Sequence, residues 1–289
     1  MTTLVSIPTV EPVRDVGGTL RGDLRGVRVV SQRELLRFFR DRTRMVTSFV
    51  QPVLFLFVLG TGFSTIARTN GSGITFKTFM FPGIIGMTVL FTAVFSAISI
   101  VWDRESGFLR EILVAPIARW ALVLGKCLGG TIVATAQGLI VLALAGAVGV
   151  PYSPLMLVTI VGEMALMAFS LTAFGILVAS RIEQMQSFQV VVQFFVMPMF
   201  FLSGAMFPLS GLPAWLTALT KIDPLSYAVD PLRRAVFEHL KLSQATSTIL
   251  NPGMSWNGWT LPVAVELGMV GAMAVLLLGM AMHAFSRAE

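Results

Sequence analysis

Long apolar runs alternate with short polar segments between residues 46 and 285. Crossing a bilayer takes about 20 mainly apolar residues, and six runs meet that length. They cover roughly Val46–Ile66, Thr78–Trp102, Ala121–Val150, Leu155–Ala179, Phe188–Phe207 and Leu261–Phe285. The pattern predicts an all-α membrane protein with six transmembrane helices. The third run is longer than one crossing requires, so a tilted helix or a cytoplasmic extension is expected.

Ahead of the first run the pattern changes. Arg33, Arg37, Arg40 and Arg44 recur at helical spacing, while Val27, Leu35, Phe38 and Phe39 fall on the other side. That predicts an amphipathic connecting helix over residues 25–45, lying along the membrane with its apolar side chains in the acyl boundary. Arg28 and Arg42 fall towards the apolar side and would snorkel outward. Residues 1–24 read as a weakly ordered cytoplasmic tail. They lack the short apolar core of a signal peptide, so the segment is expected to be retained. Residues 286–289 form the cytoplasmic end.

The connections are unequal. Between runs two and three lies a charged segment, Asp103 to Arg119, in which Phe108, Leu109, Ile112 and Leu113 oppose Arg110 and Glu111. It predicts a short amphipathic helix, ended by Pro116, which lacks the amide a helix needs. Such a helix on the cytoplasmic side offers a soluble partner something to grip. Pro151–Pro154 is a tight connection. Residues 208–260 are expected to form an extracellular helical subdomain. In it, Pro213–Thr220 reads as one helix; Asp230 caps a second, with Pro231 at its first position, running to about Leu242.

Composition fits immersion in lipid. Hydrophobic residues make up 55% and charged residues 12%, where a soluble domain carries about 25% charge, and mean hydropathy is +0.81. Cys127 is the single cysteine, which excludes an intrachain disulfide and a cysteine-based zinc site. The net charge of +6 acquires meaning from its distribution. With the N-terminus inside, fifteen Lys and Arg residues fall on the cytoplasmic side, nine of them before Met45. Six fall outside: Arg68, Lys77, Lys221, Arg233, Arg234 and Lys241. The positive-inside rule then puts both termini in the cytoplasm.

Two stretches carry a family likeness: DRESGFLREILVAPIARWALVLGK after the second run, and PMFFLSGAMFPLSGLPAWLTALTKIDPLSYAVDPLR from the fifth onward. With six spans and a basic N-terminal helix, they resemble the type-2 permeases of ABC exporters, in particular the daunorubicin-resistance and multidrug subgroup. The likeness covers about residues 25 to 285. It implies a permease subunit that moves hydrophobic or amphipathic compounds (drug, lipid or lipid-linked) outward across the plasma (inner) membrane. Such permeases pair with a second permease copy. A homodimer is expected here, and a heterodimer stays open. Each permease also binds a separate nucleotide-binding subunit, which holds ATP and Mg. The coupling helix would be Glu105–Pro116. Glu105, Arg110 and Glu111 would make polar contacts, Phe108, Leu109 and Ile112 would enter a cleft, and Gly107 would permit the close turn.

The likeness also implies a transport path at the permease dimer interface, with spans two and five contributing Phe91, Phe95, Phe194, Phe195, Met197, Met199, Phe200 and Phe201. Packing or lipid contact is the alternative role for each. Ser203, Gly204 and Pro208 would form an outer gate. Polar groups inside the bilayer are costly and therefore candidates in their own right: Glu163, Glu266, Gln189 and Gln193. Each glutamate could hold a cationic drug or relay a proton, or simply pair with Arg233 or Arg234.

No cofactor, metal or nucleic acid is expected on this chain; its other contacts are with membrane lipid. The only Gly-Lys pair, Gly125-Lys126, is followed by Cys127, and Trp120 stands where a P-loop's first glycine belongs. ATP hydrolysis by that route falls to a partner, and the chain is not expected to be an enzyme. An ATP-independent secondary transporter or channel, and a membrane-embedded lipid-modifying enzyme, are the alternative readings. The topology is testable in a Cys127→Ala background. A cysteine at Ser247 should react with an impermeant thiol reagent in intact cells, and one at Ser106 should not. Labelling at position 106 would contradict six spans with an internal N-terminus.

Overall fold

The computed structural model describes residues 20–66, 75–107, 118–209, 211–240, 253–256 and 258–287. Among these, 6 helices are long and apolar enough to cross a membrane. Span one comprises Arg42–Leu54, a π turn at Phe55–Leu59, and Gly60–Ile66. The π turn lies just past Pro52, whose missing amide interrupts the regular ladder. Span two runs Phe76–Ser96 and, after a break at Ala97, Ile98–Glu105. Thr75 caps it by accepting the Thr78 amide at 3.4 Å. Spans three to six are Arg119–Leu142, Pro154–Ala179, Met185–Leu202 and Val263–Arg287.

Several boundaries differ from the sequence pattern for identifiable reasons. Span three ends at Leu142 rather than Val150 and gives way to a 3₁₀ turn at Ala145–Val148. The Tyr152 hydroxyl holds that turn, donating to the Ala143 carbonyl at 2.7 Å and accepting the Gly146 amide at 3.1 Å. Span five ends at Leu202 rather than Phe207, because Gly204 adopts φ 71°, a left-handed conformation that glycine tolerates best.

Between spans five and six, one short helix covers Ala214–Ile222 and a second Ser226–Phe237. Asp230 is therefore not the cap of the second helix; it lies inside it, as does Pro231. The chain holds two Asp-Pro pairs, and the earlier one, Asp223-Pro224, opens the helix. Asp223 accepts the Leu225 amide at 3.2 Å and the Ser226 hydroxyl at 3.0 Å. One departure from an all-helical fold is a hairpin pairing Ser255–Trp256 with Trp259–Thr260.

Span two is the most buried, and spans one, five and six leave most of their surface outward. Spans two, three and four pack on one another, with small residues where backbones cross. A Cβ on Gly83 of span two would lie 2.1 Å from the Ala205 carbonyl oxygen, just past span five. Gly130 of span three likewise admits Ser96 and Thr172.

The N-terminal helix spans Leu20–Arg40, so residues 20–24 are helical rather than tail. It packs lengthwise along span three, and its apolar side is not wholly left for lipid: Val27 and Phe38 are buried, while Leu36 and Phe39 are exposed.

Gly83→Ala should force the two backbones apart and cost roughly 1–3 kcal/mol, as overpacking does. The melting temperature of the purified protein checks this, and an unchanged value would contradict the close crossing.

Candidate coupling and transport sites

A buried ammonium organises the end of the molecule that carries the segment between spans two and three. Lys126, on span three, has a side chain only 4% exposed. Its Nζ donates to Asp103 Oδ2 of span two at 2.8 Å, to Glu34 Oε1 of the N-terminal helix at 3.0 Å, and to Ser99 Oγ at 3.1 Å. Asp103 also faces Arg33 at 3.5 Å and Arg37 at 3.7 Å, and Arg37 lies over the Trp102 ring. Burying an ion is expensive unless it is paired and its hydrogen bonds are met. Three elements meet here because each supplies part of one network.

Neighbouring charges fasten the other span ends on the same side of the molecule. Arg104 donates to the carbonyls of Ala179, Ser180 and Ile182, where span four ends. Glu105 accepts the Met185 amide at 3.3 Å, where span five begins. Arg119 donates to the carbonyls of Phe285 and Ser286 at the end of span six. Asp23 accepts the Ala118 amide at 3.1 Å, at the start of span three. Cations thus sit on helix C-termini and carboxylates on N-termini, the arrangement helix dipoles favour. Gly107 adopts φ 74°, a left-handed conformation that glycine tolerates best. Phe108, Leu109, Arg110, Glu111 and Ile112 lie outside the described residues. Both flanks of their segment, however, are tied to the inner ends of the other spans.

Higher up, a cavity of about 400 Å³ opens between spans one, two, three and five. Phe38, Met87, Phe91, Phe95 and Met197 form its apolar wall, and Ser48, Gln51, Thr92, Gln137 and Gln193 its polar side. Thr92 donates to Gln137 Oε1, and Gln137 Nε2 donates to Ser48 Oγ. An adjoining recess shares Phe95 and Gln193 and adds Gln189 and Phe194. The structure therefore brings together Phe91, Phe95 and Met197 of the residues named for the path, and sets Gln193, one of the intramembrane polar candidates, beside them. Phe194, Phe195 and Phe201 face outward, Met199 is half-buried, and Phe200 is buried in the core. Gln137 was missed by sequence reasoning; a lone amide in the middle of span three was the available signal.

The cluster at the opposite end of the molecule is a separate site. Arg234 bridges Asp230 and Glu266, the latter at 3.0 Å, and donates to the Leu261 carbonyl. Arg233, fully buried, donates to the Gly204 carbonyl and lies 4.9 Å over the Phe79 ring. Glu266 thus takes the arginine pairing. Glu163 is buried nearby, and among the described residues its Oε2 and that of Glu266 lack a hydrogen-bond partner. Ser203 is buried, its hydroxyl donating to the Phe200 carbonyl, and Pro208 is half-buried.

The described residues thus comprise six helices long and apolar enough to cross a membrane, a charge network at the flanks of one connecting segment, and a mixed polar cavity among the helices. The family model for ABC-2 type transporters matches residues 25–237, and this chain belongs to that family. It is 32% identical over 191 residues to the probable multidrug ABC transporter permease YbhR of Escherichia coli (strain K12), covering 65% of this chain and 49% of that protein. The chain thus spans about half the length of that relative. It is 25% identical over 208 residues to the putative transport permease ycf38 of Cyanophora paradoxa, covering 71% and 72%. To nodulation protein J of Rhizobium leguminosarum bv. trifolii it is 25% identical over 192 residues, covering 65% and 72%.

Replacing Lys126 should expose the cost of the network. Lys126→Met leaves Asp103 and Glu34 buried without their ammonium and should destabilise the protein by roughly 3–5 kcal/mol. Lys126→Met with Asp103→Asn should recover part of that loss. A wild-type melting temperature for the single variant would contradict the assignment.

Proposed function

We propose that this chain is the transmembrane permease subunit of an ATP-driven exporter of the multidrug, daunorubicin-resistance-like kind. It moves hydrophobic or amphipathic compounds outward across the plasma (inner) membrane, with both termini in the cytoplasm. ATP and Mg are held by a separate nucleotide-binding subunit, and the permease works as a pair, with a second copy of itself or a related permease. Family membership supports this reading, as does the word multidrug in the name of the Escherichia coli relative.

The observation that carries it is the treatment of the segment between spans two and three. Its flanks, Asp103 to Gly107 and Ala118 to Lys126, are bonded to the N-terminal helix and to the inner ends of spans four, five and six. A partner that moves this segment therefore moves several helices at once. Within it, Glu105 serves the permease itself by capping span five, so the partner contacts fall to Phe108, Leu109, Arg110, Glu111 and Ile112. The path runs beside spans two and five, past Phe91, Phe95, Met197 and Gln193 and along the outward Phe194, Phe195 and Phe201. Ser203, Gly204 and Pro208 close its outer end.

The test is the apolar anchor. Truncating a buried interface anchor costs roughly 1–3 kcal/mol, so Leu109→Ala with Ile112→Ala should leave membrane insertion intact. Recovery of the ATPase subunit with the permease should drop at least tenfold, and export should be lost. Full recovery of the complex with full export would overturn the coupling role.

A further inference from the structure

The cavity between spans one, two, three and five has an unusual chemical character for a site at bilayer depth. Its polar side chains are hydroxyls and amides, and among the described lining residues none is charged. The two intramembrane carboxylates lie elsewhere, since neither Glu163 nor Glu266 lines it and Glu266 is paired to Arg234. Gln137 is 3% exposed, so its amide cannot turn to water. It is also oriented: the Thr92 hydroxyl donates to its Oε1, its Nε2 donates to Ser48 Oγ, and the Ser48 hydroxyl donates to the Met45 carbonyl at 3.0 Å. That directed chain uses one of the two N–H donors of Gln137, and both Gln137 and Thr92 line the cavity.

We propose that this cavity binds uncharged amphiphiles whose head carries hydroxyl, ether or amide groups, and that Gln137 sets the preference. The proposal rests on the export reading only for the claim that the bound molecule is cargo. A neutral hydrogen-bonding head recovers the bonds that Gln137, Thr92 and Gln193 otherwise lack there. A site built this way rejects ligands that leave its polar groups unpaired. A cationic head would be stripped of water with no carboxylate to meet it, and the faces of Phe91 and Phe95 return only part of that loss. Phe91 and Phe95 stack with rings 6° from parallel, a flat wall for an apolar tail. A volume of about 400 Å³ suits a single-chain amphiphile rather than a two-chain lipid.

Photo-crosslinking tests this on the full chain in lipid nanodiscs, with no ATP or partner present. Two probes share one octyl chain bearing a diazirine. One carries a glucoside head and the other a trimethylammonium head. The glucoside probe should label the peptides containing Phe91–Phe95 and Gln137 at about tenfold lower concentration than the ammonium probe. Gln137→Leu should erase that difference, and Gln137→Glu should reverse it by supplying a counter-charge. Should either variant fail to fold, Gln193→Leu on the exposed face should narrow the difference. Equal or stronger labelling by the ammonium probe, or a preference untouched by these variants, overturns the proposal. Intact head-group preference without ATP-driven export would instead count against the export reading alone.

Discussion

The inner architecture depends on the neutralisation of one buried ammonium. Lys126 sits where spans two and three and the N-terminal helix converge, too deep for water to solvate it. The bilayer side of a membrane protein offers no hydrophobic drive to bring helices together, so association rests on close packing and polar contacts. Asp103 and Glu34 supply those contacts from two different elements. Removing the ammonium leaves both carboxylates without their shared partner, and among the described residues only Asp103 keeps arginines, Arg33 and Arg37, beside it. The N-terminal helix is consequently part of the folded body as well as a membrane-side element.

From that node the remaining connections follow by helix-end chemistry. Arg104, Glu105, Arg119 and Asp23 each satisfy backbone groups that a helix terminus leaves open. Together they turn the flanks of one short segment into a junction for several spans. Spans two, three and four form the packed centre, and spans one, five and six lie around it. The outward face of span five carries Gln189 and Gln193 beside aromatic rings. Amides facing hydrocarbon are costly, which favours a second permease copy or a cargo path on this face over lipid.

Much of the fold was legible because bilayer thickness imposes a length that apolar runs reveal directly. Six spans could be read that way, and the short stretch Pro213–Thr220 separately foretold the helix at Ala214–Ile222. Local chemistry was less decisive where two signals competed: Asp223-Pro224 and Asp230-Pro231 are equal as start signals, and only tertiary contacts select the first. Span three continues as apolar sequence beyond Leu142, and hydropathy alone cannot register a turn fixed by the Tyr152 hydroxyl. The charge network was invisible for a different reason. Lys126 and Glu34 stand 92 residues apart, and a count of basic residues on each side treats Lys126 as one more topology signal. Aromatic positions along spans two and five could be named in advance, but their orientation could not. Phe200 turns inward while Phe201, its neighbour, turns outward.

In the proposed function, a nucleotide-binding partner drives this permease through the segment between spans two and three. Reconstituting the permease with its ATPase subunit in proteoliposomes, and following a fluorescent amphiphile, tests it most directly. MgATP supplied on the side bearing Ser106 should drive the compound to the opposite side, and a partner unable to hydrolyse ATP should abolish the movement. Equal transport by the permease alone, powered by an ion gradient and indifferent to ATP, would contradict the account.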